Sequence, residues 1–328
     1  MQTRNDKILS NINYRNTIGL EIGALANPIV TPDMGNVRYV DHLSTDVLRE
    51  KYSKDSSIDT DKIVDVDYIW GEHPLIELTQ EEAPFDYLIA CHVIEHVPNL
   101  VGWLKEINSI LKPGGVISLA IPDKYQCFDY NRDITQLGDV LESYLNDRRK
   151  PTSRQIFDYL SRVIHWDQKI SWAGPVEGLS DLTNLYSLTT AWDITQATFK
   201  SNEYYDVHCW IFTPYSFFKL LEGIAELGLL KFEPINFYPT AGCEFFVTLK
   251  TVDSISPEKI QEFYSSQIFK NSNHIPSEKI SISNDALICE VTSLKKQITS
   301  MENTKFWKMR TLWLKIKRHL KLISEGAN

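Results

Sequence analysis

The chain has 328 residues, of which 43% are hydrophobic and 23% charged, so it can bury one or two packed cores and is not a disordered protein. Its net charge of −9 argues against nucleic-acid binding, which depends on neutralising phosphates. No apolar run reaches the roughly 20 residues of a membrane-spanning helix, and the N-terminus lacks the apolar core of a secretory signal. The five cysteines are scattered, which favours reduced thiols over disulfides. We therefore expect a cytoplasmic protein.

After an N-terminal segment, residues 1–16, apolar runs typical of strands alternate with helical patterns. The strands are predicted at residues 18–22, 37–40, 63–66, 87–90 and 116–121. Between the last two, residues 101–111 place apolar side chains on one helical face. Strands that alternate with helices at this spacing predict parallel βαβ units and a doubly wound sheet.

The alternation stops after residue 122 and resumes at Thr213, which predicts an α-rich insertion, residues 123–212, in a core formed by 17–122 and 213–250. Thr213 as N-cap and Pro214 at the first helical position open a helix. Two further strands, at 229–237 and 244–250, are separated by a short connection, and such a connection predicts an antiparallel hairpin.

Beyond this core we expect a linker, residues 251–286, and a helical basic tail, residues 287–328. Apolar residues at alternating spacings of four and three over 287–301 resemble a short coiled coil and predict a dimer contact. Residues 305–321 contain seven basic and no acidic residues, with apolar residues at helical spacing. This pattern suits a helix that lies on anionic lipid, giving peripheral membrane contact, or one that packs on the acidic body of the protein.

Candidate binding residues stand where the predicted strands end, because ligands of open α/β sheets bind at the carboxyl ends of the strands. Glu21 and Gly23 end the first strand, and Asp41 ends the second, at a spacing that suits a ribose diol. Asp41 could instead be a helix N-cap. Asp67 ends the third predicted strand, and Ala90, Cys91 and His92 end the fourth.

These residues resemble the class I S-adenosylmethionine-dependent methyltransferases. Glu21-Ile-Gly23 resembles the family's acid-x-Gly motif, Asp41 the ribose-binding acid, and Asp67-Tyr68 the segment beside the adenine. The most specific match is the strand and Glu-His pair of residues 85–97 followed by Leu-Lys-Pro-Gly-Gly at 111–115. The resemblance implies a seven-stranded Rossmann-like sheet with an antiparallel last strand and S-adenosyl-L-methionine as cofactor. It assigns cofactor binding to Glu21, Gly23, Asp41, Asp67, Ala90 and His92.

The glycine loop departs from the family's pattern, since Leu25 and Asn27 stand where later glycines are often found. A cofactor without a pyrophosphate needs less close backbone approach, so the loop is expected to cradle the methionine part of S-adenosylmethionine.

A finer resemblance concerns the acceptor. The strings E-I-G-A, Y-V-D-H at 39–42, W-L-K-E at 103–106 and I-P-D at 121–123 resemble methyltransferases associated with bacterial surface-polysaccharide synthesis. This implies a sugar hydroxyl as acceptor, bound by the aromatic-rich insertion 123–212. Methylation of a hydroxyl calls for a general base, for which the candidates are His208, then Asp123 and His96.

Three alternatives stay open. One is an NAD-dependent oxidoreductase, although the chain lacks G-x-G-x-x-G and ends its sheet in a hairpin. Another is a relative that binds S-adenosylmethionine or a partner without catalysis. The third is a zinc site, because residues 92–96 spell H-x-x-E-H. Since His92 ends a strand and Pro98 interrupts the following helix, we expect no metal.

Overall fold

The computed structural model describes residues 2–71, 73–166, 169–170 and 183–272. The chain divides into two units, Met1–Gln267 and Ile268–Asn328, and the features below belong to the first. The predicted coiled-coil contact at 287–301 and the basic segment at 305–321 lie outside the described residues. Of the helices within the described ranges, none is long and apolar enough to cross a membrane.

A seven-stranded sheet forms the centre of the fold, and its strands are β1 (Ile18–Ile22), β2 (Asn36–Asp41), β3 (Tyr68–Ile69), β4 (Phe85–Cys91), β5 (Leu111–Pro122), β8 (Phe232–Ala241) and β9 (Glu244–Thr251). They lie in the order β3-β2-β1-β4-β5-β9-β8. The first five strands pair in parallel, and β9 runs antiparallel to both β5 and β8. The predicted fold class, including the antiparallel last strand, is confirmed.

The described ranges also contain nine α-helices. They are α1 (Arg4–Leu9), α2 (Thr45–Tyr52), α3 (Leu75–Leu78), α4 (Leu100–Ile110), α5 (Leu137–Leu145), α6 (Ser153–Arg162), α7 (Leu188–Ser201), α8 (Pro214–Glu226) and α9 (Pro257–Ser272). The insertion contains α5, α6 and α7, together with a small hairpin of β6 (His165–Trp166) and β7 (Lys169–Ile170). The described part of residues 123–212 is therefore rich in α-helix and lies between β5 and α8.

The sheet is buried on both faces, as a parallel sheet requires. Leu88 and Leu119 point to the larger cluster, which contains residues of α4 and α8. Tyr87 and Ile89 point to the opposite face, which α1 covers with Ile8. The hydroxyl of Ser118 also donates to the carbonyl of Ile8, at 2.7 Å. The N-terminal segment is thus part of the core.

The third strand lies further along the chain than predicted. Residues 63–66 form no strand, and β3 is Tyr68–Ile69. Ile63 instead packs with Ala26 and Leu48, and the N–H of Val64 donates to the carbonyl of Leu25 at 3.0 Å. The apolar residues at 63–66 therefore pack against the loop after β1, and the predicted strand at these residues is wrong.

The helix and hairpin that end the core agree with the sequence, apart from their bounds. Thr213 caps α8 in a capping box with Ser216, and Pro214 is the first helical residue. The last two strands, predicted at 229–237 and 244–250, are Phe232–Ala241 and Glu244–Thr251. The connection between them is therefore tighter than expected.

The predicted linker 251–286 is corrected, because Pro257–Ser272 forms α9. Ile260 of this helix is fully buried, and Tyr264 stacks on Phe218 of α8 with ring centroids 4.6 Å apart. Apolar residues at positions 260, 263 and 264 form a helical stripe that the polar composition of the segment concealed.

Candidate functional site

The loop after β1 turns sharply at Gly23, at the carboxyl end of the sheet. Gly23 has a φ of +72°, in the left-handed region that favours glycine, and its N–H donates to the carbonyl of Val40 at 2.9 Å. A Cβ atom at position 23 would lie 3.2 Å from Cγ2 of Val93, in the segment after β4. Leu25, at a position where related motifs often have glycine, also has a positive φ, +47°. The predicted cofactor loop therefore runs beside the segment after β4.

Glu21 lies beneath this loop and is almost completely buried. Its carboxylate oxygens accept hydrogen bonds from the N–H groups of Ile29, at 2.8 Å, and Val30, at 3.2 Å. Burial raises the pKa of Glu21 to about 7, against the opposing effect of these two bonds. Glu21 thus holds the far end of the loop in place. Its contact with a cofactor stays a prediction, because both oxygens already bind the backbone.

Asp41 is the last residue of β2, and its side chain is 10% exposed. Its Oδ1 accepts a hydrogen bond from the N–H of His42 at 2.7 Å and lies 2.6 Å from Nδ1 of the same residue. The N-cap of the next helix is Ser44, so the N-cap alternative for Asp41 does not apply. In the part of the chain that the structure describes, hydrogen bonds reach only Oδ1 of Asp41. Oδ2 is therefore the oxygen that could accept from a ribose hydroxyl.

Asp67 precedes β3, whereas the sequence placed it at a strand end. Its Oδ2 accepts a hydrogen bond from the N–H of Tyr39 at 2.7 Å, and its Oδ1 lies 4.0 Å from Nε of Arg38. The carboxylate therefore supports the edge of β2. The predicted contact of Asp67 with adenine stays a prediction.

Ala90 and His92, at the end of β4, have different surroundings. Ala90 is fully buried in the core between β1 and β5, so only its backbone could meet a ligand. His92 has a φ of +54°, and its Nε2 lies 2.9 Å from Oε2 of Glu244. Burial alone would lower the pKa of His92, but its contacts with Glu244 and Glu95 raise it to about 9. His92 is thus a largely buried cation that joins β4 to β9.

Two of the three candidate bases meet a buried carboxylate. Glu95, His96 and His208 each offer one metal-ligand atom, and these atoms lie within 4.8 Å of one another. The two imidazole rings pack edge to face with centroids 4.6 Å apart, and Nε2 of His208 lies 4.0 Å from Oε1 of Glu95. Glu95 is 1% exposed. We call these three residues the Glu–His–His cluster.

The segment before α8 runs against the turn after β4 and so completes this cluster. The N–H groups of Cys209 and Trp210 donate to the carbonyl of Glu95 at 2.6 and 3.1 Å. The indole N–H of Trp210 donates to the carbonyl of Val97 at 2.5 Å. These bonds fix His208 beside Glu95, although more than one hundred residues separate the two in the chain.

A second carboxylate holds each imidazole of the cluster. Oδ2 of Asp129 lies 2.6 Å from Nδ1 of His208, and Arg132 donates to Oδ1 of Asp129 at 2.7 Å. Oδ1 of Asp206 lies 2.8 Å from Nδ1 of His96. Although burial lowers the pKa of His96, the contact with Asp206 raises it overall. In both rings the carboxylate engages Nδ1, and Nε2 of His208 lies towards Glu95, 4.0 Å from its Oε1.

Asp123, the remaining candidate base, is engaged elsewhere. Its Oδ2 accepts a hydrogen bond from the hydroxyl of Thr240 at 2.6 Å, and its Oδ1 accepts one from the N–H of Tyr125 at 3.1 Å. Within the described ranges, no hydrogen bond or ion pair joins Asp123 to the Glu–His–His cluster. The structure therefore does not bring all three candidates together.

Sequence reasoning missed a row of alternating charges that leads to the cluster. Arg4 of α1 donates to both oxygens of Glu244, at 2.7 and 3.0 Å, and Glu244 contacts His92. Nδ1 of His92 lies 3.5 Å from Oε1 of Glu95. The local signal was the H-x-x-E-H string, but its first histidine binds Glu244. The residues with metal-ligand spacing are Glu95, His96 and the distant His208.

A family model described as a methyltransferase domain matches residues 13–193, more than half of the chain. The chain belongs to this methyltransferase family. The match confirms the enzyme class and the S-adenosylmethionine cofactor expected from the motifs. It also leaves the oxidoreductase alternative without support.

Solved structures similar to this methyltransferase have low identity to it. A SAM-dependent methyltransferase from Aquifex aeolicus is 10% identical, with a TM-score of 0.34 over 76% of this chain and 90% of that one. Human N-acetylserotonin methyltransferase in complex with SAM is 13% identical, with a TM-score of 0.35 over 76% and 51%. The CurJ carbon methyltransferase is 12% identical, with a TM-score of 0.33 over 74% and 51%. The chain thus spans about half the length of the last two. A search of curated proteins found no match.

Proposed function

We propose that this methyltransferase transfers a methyl group from S-adenosylmethionine to a hydroxyl oxygen of a sugar or glycan. The observation that supports a hydroxyl acceptor is the Glu–His–His cluster, which follows β4 beside the Gly23 loop. A hydroxyl must lose its proton as its oxygen attacks a methyl group. A buried carboxylate with two imidazoles suits that task.

The residues around the loop fit the cofactor. Gly23 leaves open a space that a Cβ would fill, and Oδ2 of Asp41 stands at the end of β2 as an acceptor for a ribose hydroxyl. When bound, S-adenosylmethionine supplies an electrophilic methyl group on a positively charged sulfur. The carboxyl ends of β1, β2 and β4 are thus the proposed binding place.

In the transfer, the acceptor oxygen forms a bond to the methyl carbon as the carbon–sulfur bond breaks, and the hydroxyl proton passes to the cluster. His208 is the first candidate to receive it, because Asp129 orients its ring through Nδ1. His96, oriented in the same way by Asp206, is the second. The main contribution of the chain is to hold the acceptor in line with the departing sulfur.

A sugar acceptor is supported by the insertion and by the finer sequence resemblance. Tyr125, Trp192 and Tyr204 of the insertion are exposed, and exposed aromatic faces stack on sugar rings. A groove in the insertion is lined in part by Arg132 and Trp210. Arg132 also binds Asp129, which connects the groove to the cluster. We therefore propose residues 123–212 as the acceptor-binding segment.

The test is to incubate the full-length chain with labelled S-adenosylmethionine and a panel of nucleotide sugars, free glycans and lipid-linked saccharides. We expect label in an O-methyl sugar, identified by mass spectrometry and lost on replacement of His208 by asparagine. His73→Asn is the matched control, because the side chain of His73 is 72% exposed and contacts Glu77. Methylation only on nitrogen or carbon would contradict the proposal.

A relative without catalysis is the second candidate function. It would bind S-adenosylmethionine in calorimetry and transfer no label to any acceptor of the panel. Peripheral membrane contact through 305–321 and a dimer through 287–301 are also proposals, and they rest on sequence spacing alone.

A further inference from the structure

We propose that Glu95, His96 and His208 bind a divalent metal ion of the zinc, manganese or iron class. Two imidazole nitrogens and one carboxylate are a common ligand set for these ions. The three ligand atoms lie within 4.8 Å of one another, at the carboxyl end of β4.

The distances are close to those of a bound ion. Tetrahedral metal–ligand bonds of about 2.0–2.2 Å place two ligand atoms about 3.3–3.6 Å apart on one ion. Nε2 of His208 and Oε1 of Glu95 are 4.0 Å apart, close to that spacing. The widest separation in the cluster is bounded by 4.8 Å, so closure needs the ligand atoms to approach one another by up to about 1 Å.

Both imidazoles are oriented as metal ligands usually are. A histidine that binds a metal through one ring nitrogen commonly donates the other N–H to a carboxylate, which fixes its tautomer and raises its basicity. Here Asp129 engages Nδ1 of His208 and Asp206 engages Nδ1 of His96. The same arrangement thus occurs twice, with carboxylates from two different parts of the insertion.

Glu95 supplies the independent observation. It is 1% exposed, and neither of its oxygens accepts a hydrogen bond from any residue in the described ranges. Its nearest described cationic neighbour is Nδ1 of His92, at 3.5 Å. A buried carboxylate without hydrogen bonds is costly, and a metal ion would satisfy both its charge and its oxygens.

Protonated histidines are the rival explanation for the same cluster. His92 and His96 both lie close to Glu95, and their positive charge would balance it without a metal. The two explanations differ in a measurable property, since only one of them predicts stoichiometric binding of a metal ion.

Binding of the metal rests on geometry alone, whereas its use in catalysis rests on the proposed function. A metal ion held by these three residues would act as a Lewis acid towards an acceptor oxygen. His96 and His208 would then be its ligands in place of acting as bases, and water would take the hydroxyl proton.

The experiment uses the full-length chain after exhaustive dialysis against a chelator. Calorimetric titration with Mn²⁺ and with Zn²⁺ should give one site per chain. Visible spectra of the Co²⁺ form should report imidazole and carboxylate ligands.

Glu95→Gln keeps the side-chain volume and should abolish this site. The side chain of Asp206 is 56% exposed, so its replacement should leave the fold intact. Asp206→Asn should weaken metal binding by about 10–100-fold. His73→Gln is the control histidine variant and should bind like the parent.

Equal affinity in the parent and Glu95→Gln, or no stoichiometric binding in the folded parent, overturns the proposal and leaves the protonated-histidine explanation. If Glu95→Gln does not fold, Asp206→Asn decides in the same way. Methyl transfer that persists in the chelated enzyme, without bound metal, refutes the use of the metal in catalysis while the proposed function stands, and the titrations alone decide whether the site binds a metal. One bound metal with no transfer to any hydroxyl refutes the proposed function while the metal site stands.

Discussion

Replacement of Asp41 by alanine should weaken S-adenosylmethionine binding by about 10–150-fold. The side chain is 10% exposed, and His42 engages only its Oδ1, so Oδ2 can accept from a ribose hydroxyl. A hydrogen bond to a charged group contributes about 1.5–3 kcal/mol, and about 1.4 kcal/mol corresponds to a tenfold change in affinity. The expected loss follows from removing that one acceptor.

Alanine at position 41 also removes the contacts with His42, and a second variant separates the two effects. His42→Ala keeps the Asp41 carboxylate and removes only the ring, which is 46% exposed. Affinity should then change by no more than about twofold to threefold, as for an ordinary surface substitution. Circular dichroism confirms that both variants are folded.

The assay is calorimetry with S-adenosylhomocysteine and its 2′-deoxy and 3′-deoxy analogues. If Asp41 binds the ribose, at least one deoxy analogue should bind the parent more weakly than S-adenosylhomocysteine does. The affinity for that analogue should fall no further when Asp41 is replaced by alanine. Such non-additivity is the signature of a direct contact. The reasoning is refuted if removing a ribose hydroxyl lowers affinity by the same factor in the parent and in Asp41→Ala. It is also refuted if folded Asp41→Ala binds S-adenosylhomocysteine with unchanged affinity.

Gly23→Val should abolish cofactor binding, because a left-handed backbone costs a branched residue about 1–2 kcal/mol and its side chain would meet Val93. Gly228 also has a positive φ, +68°, but a Cβ there would meet open space. Gly228→Val should therefore lose stability and keep its affinity for the cofactor. His208→Asn should lower kcat by about 10²–10⁴-fold with an unchanged Kd for S-adenosylmethionine, and normal turnover would exclude His208 from catalysis. The pKa of His92 is raised from 6.5 to about 9, so its contacts stabilise the fold fully below about pH 6.5 and are lost as the pH rises through 9. Urea unfolding should show this decline, and His92→Gln should remove it. Reversing the charges at Lys315, Lys317 and Arg318 should reduce co-sedimentation with anionic liposomes, and equal sedimentation would contradict membrane contact through 305–321.

The sequence alone determined the fold class, because the signals for it act over a few residues. The strand at 18–22 and the helix N-cap at Thr213 appear where expected, and the hairpin after α8 is present with shifted strand bounds. The same local logic failed at residues 63–66, where apolar alternation serves a contact with the loop after β1. It failed again in α9, whose short apolar stripe lies in a polar segment.

Only the tertiary structure decided which charged residues meet. Spacing along the chain pointed to His96 and His208 as separate candidates and passed over Asp129, Asp206 and Glu244. In the structure, the insertion returns to the turn after β4, and its carboxylates hold both imidazoles beside Glu95. Interactions between buried charges depend on distance through space and on desolvation, and neither leaves a periodic trace in the sequence. The Glu–His–His cluster therefore became visible only when strands and insertion were assembled.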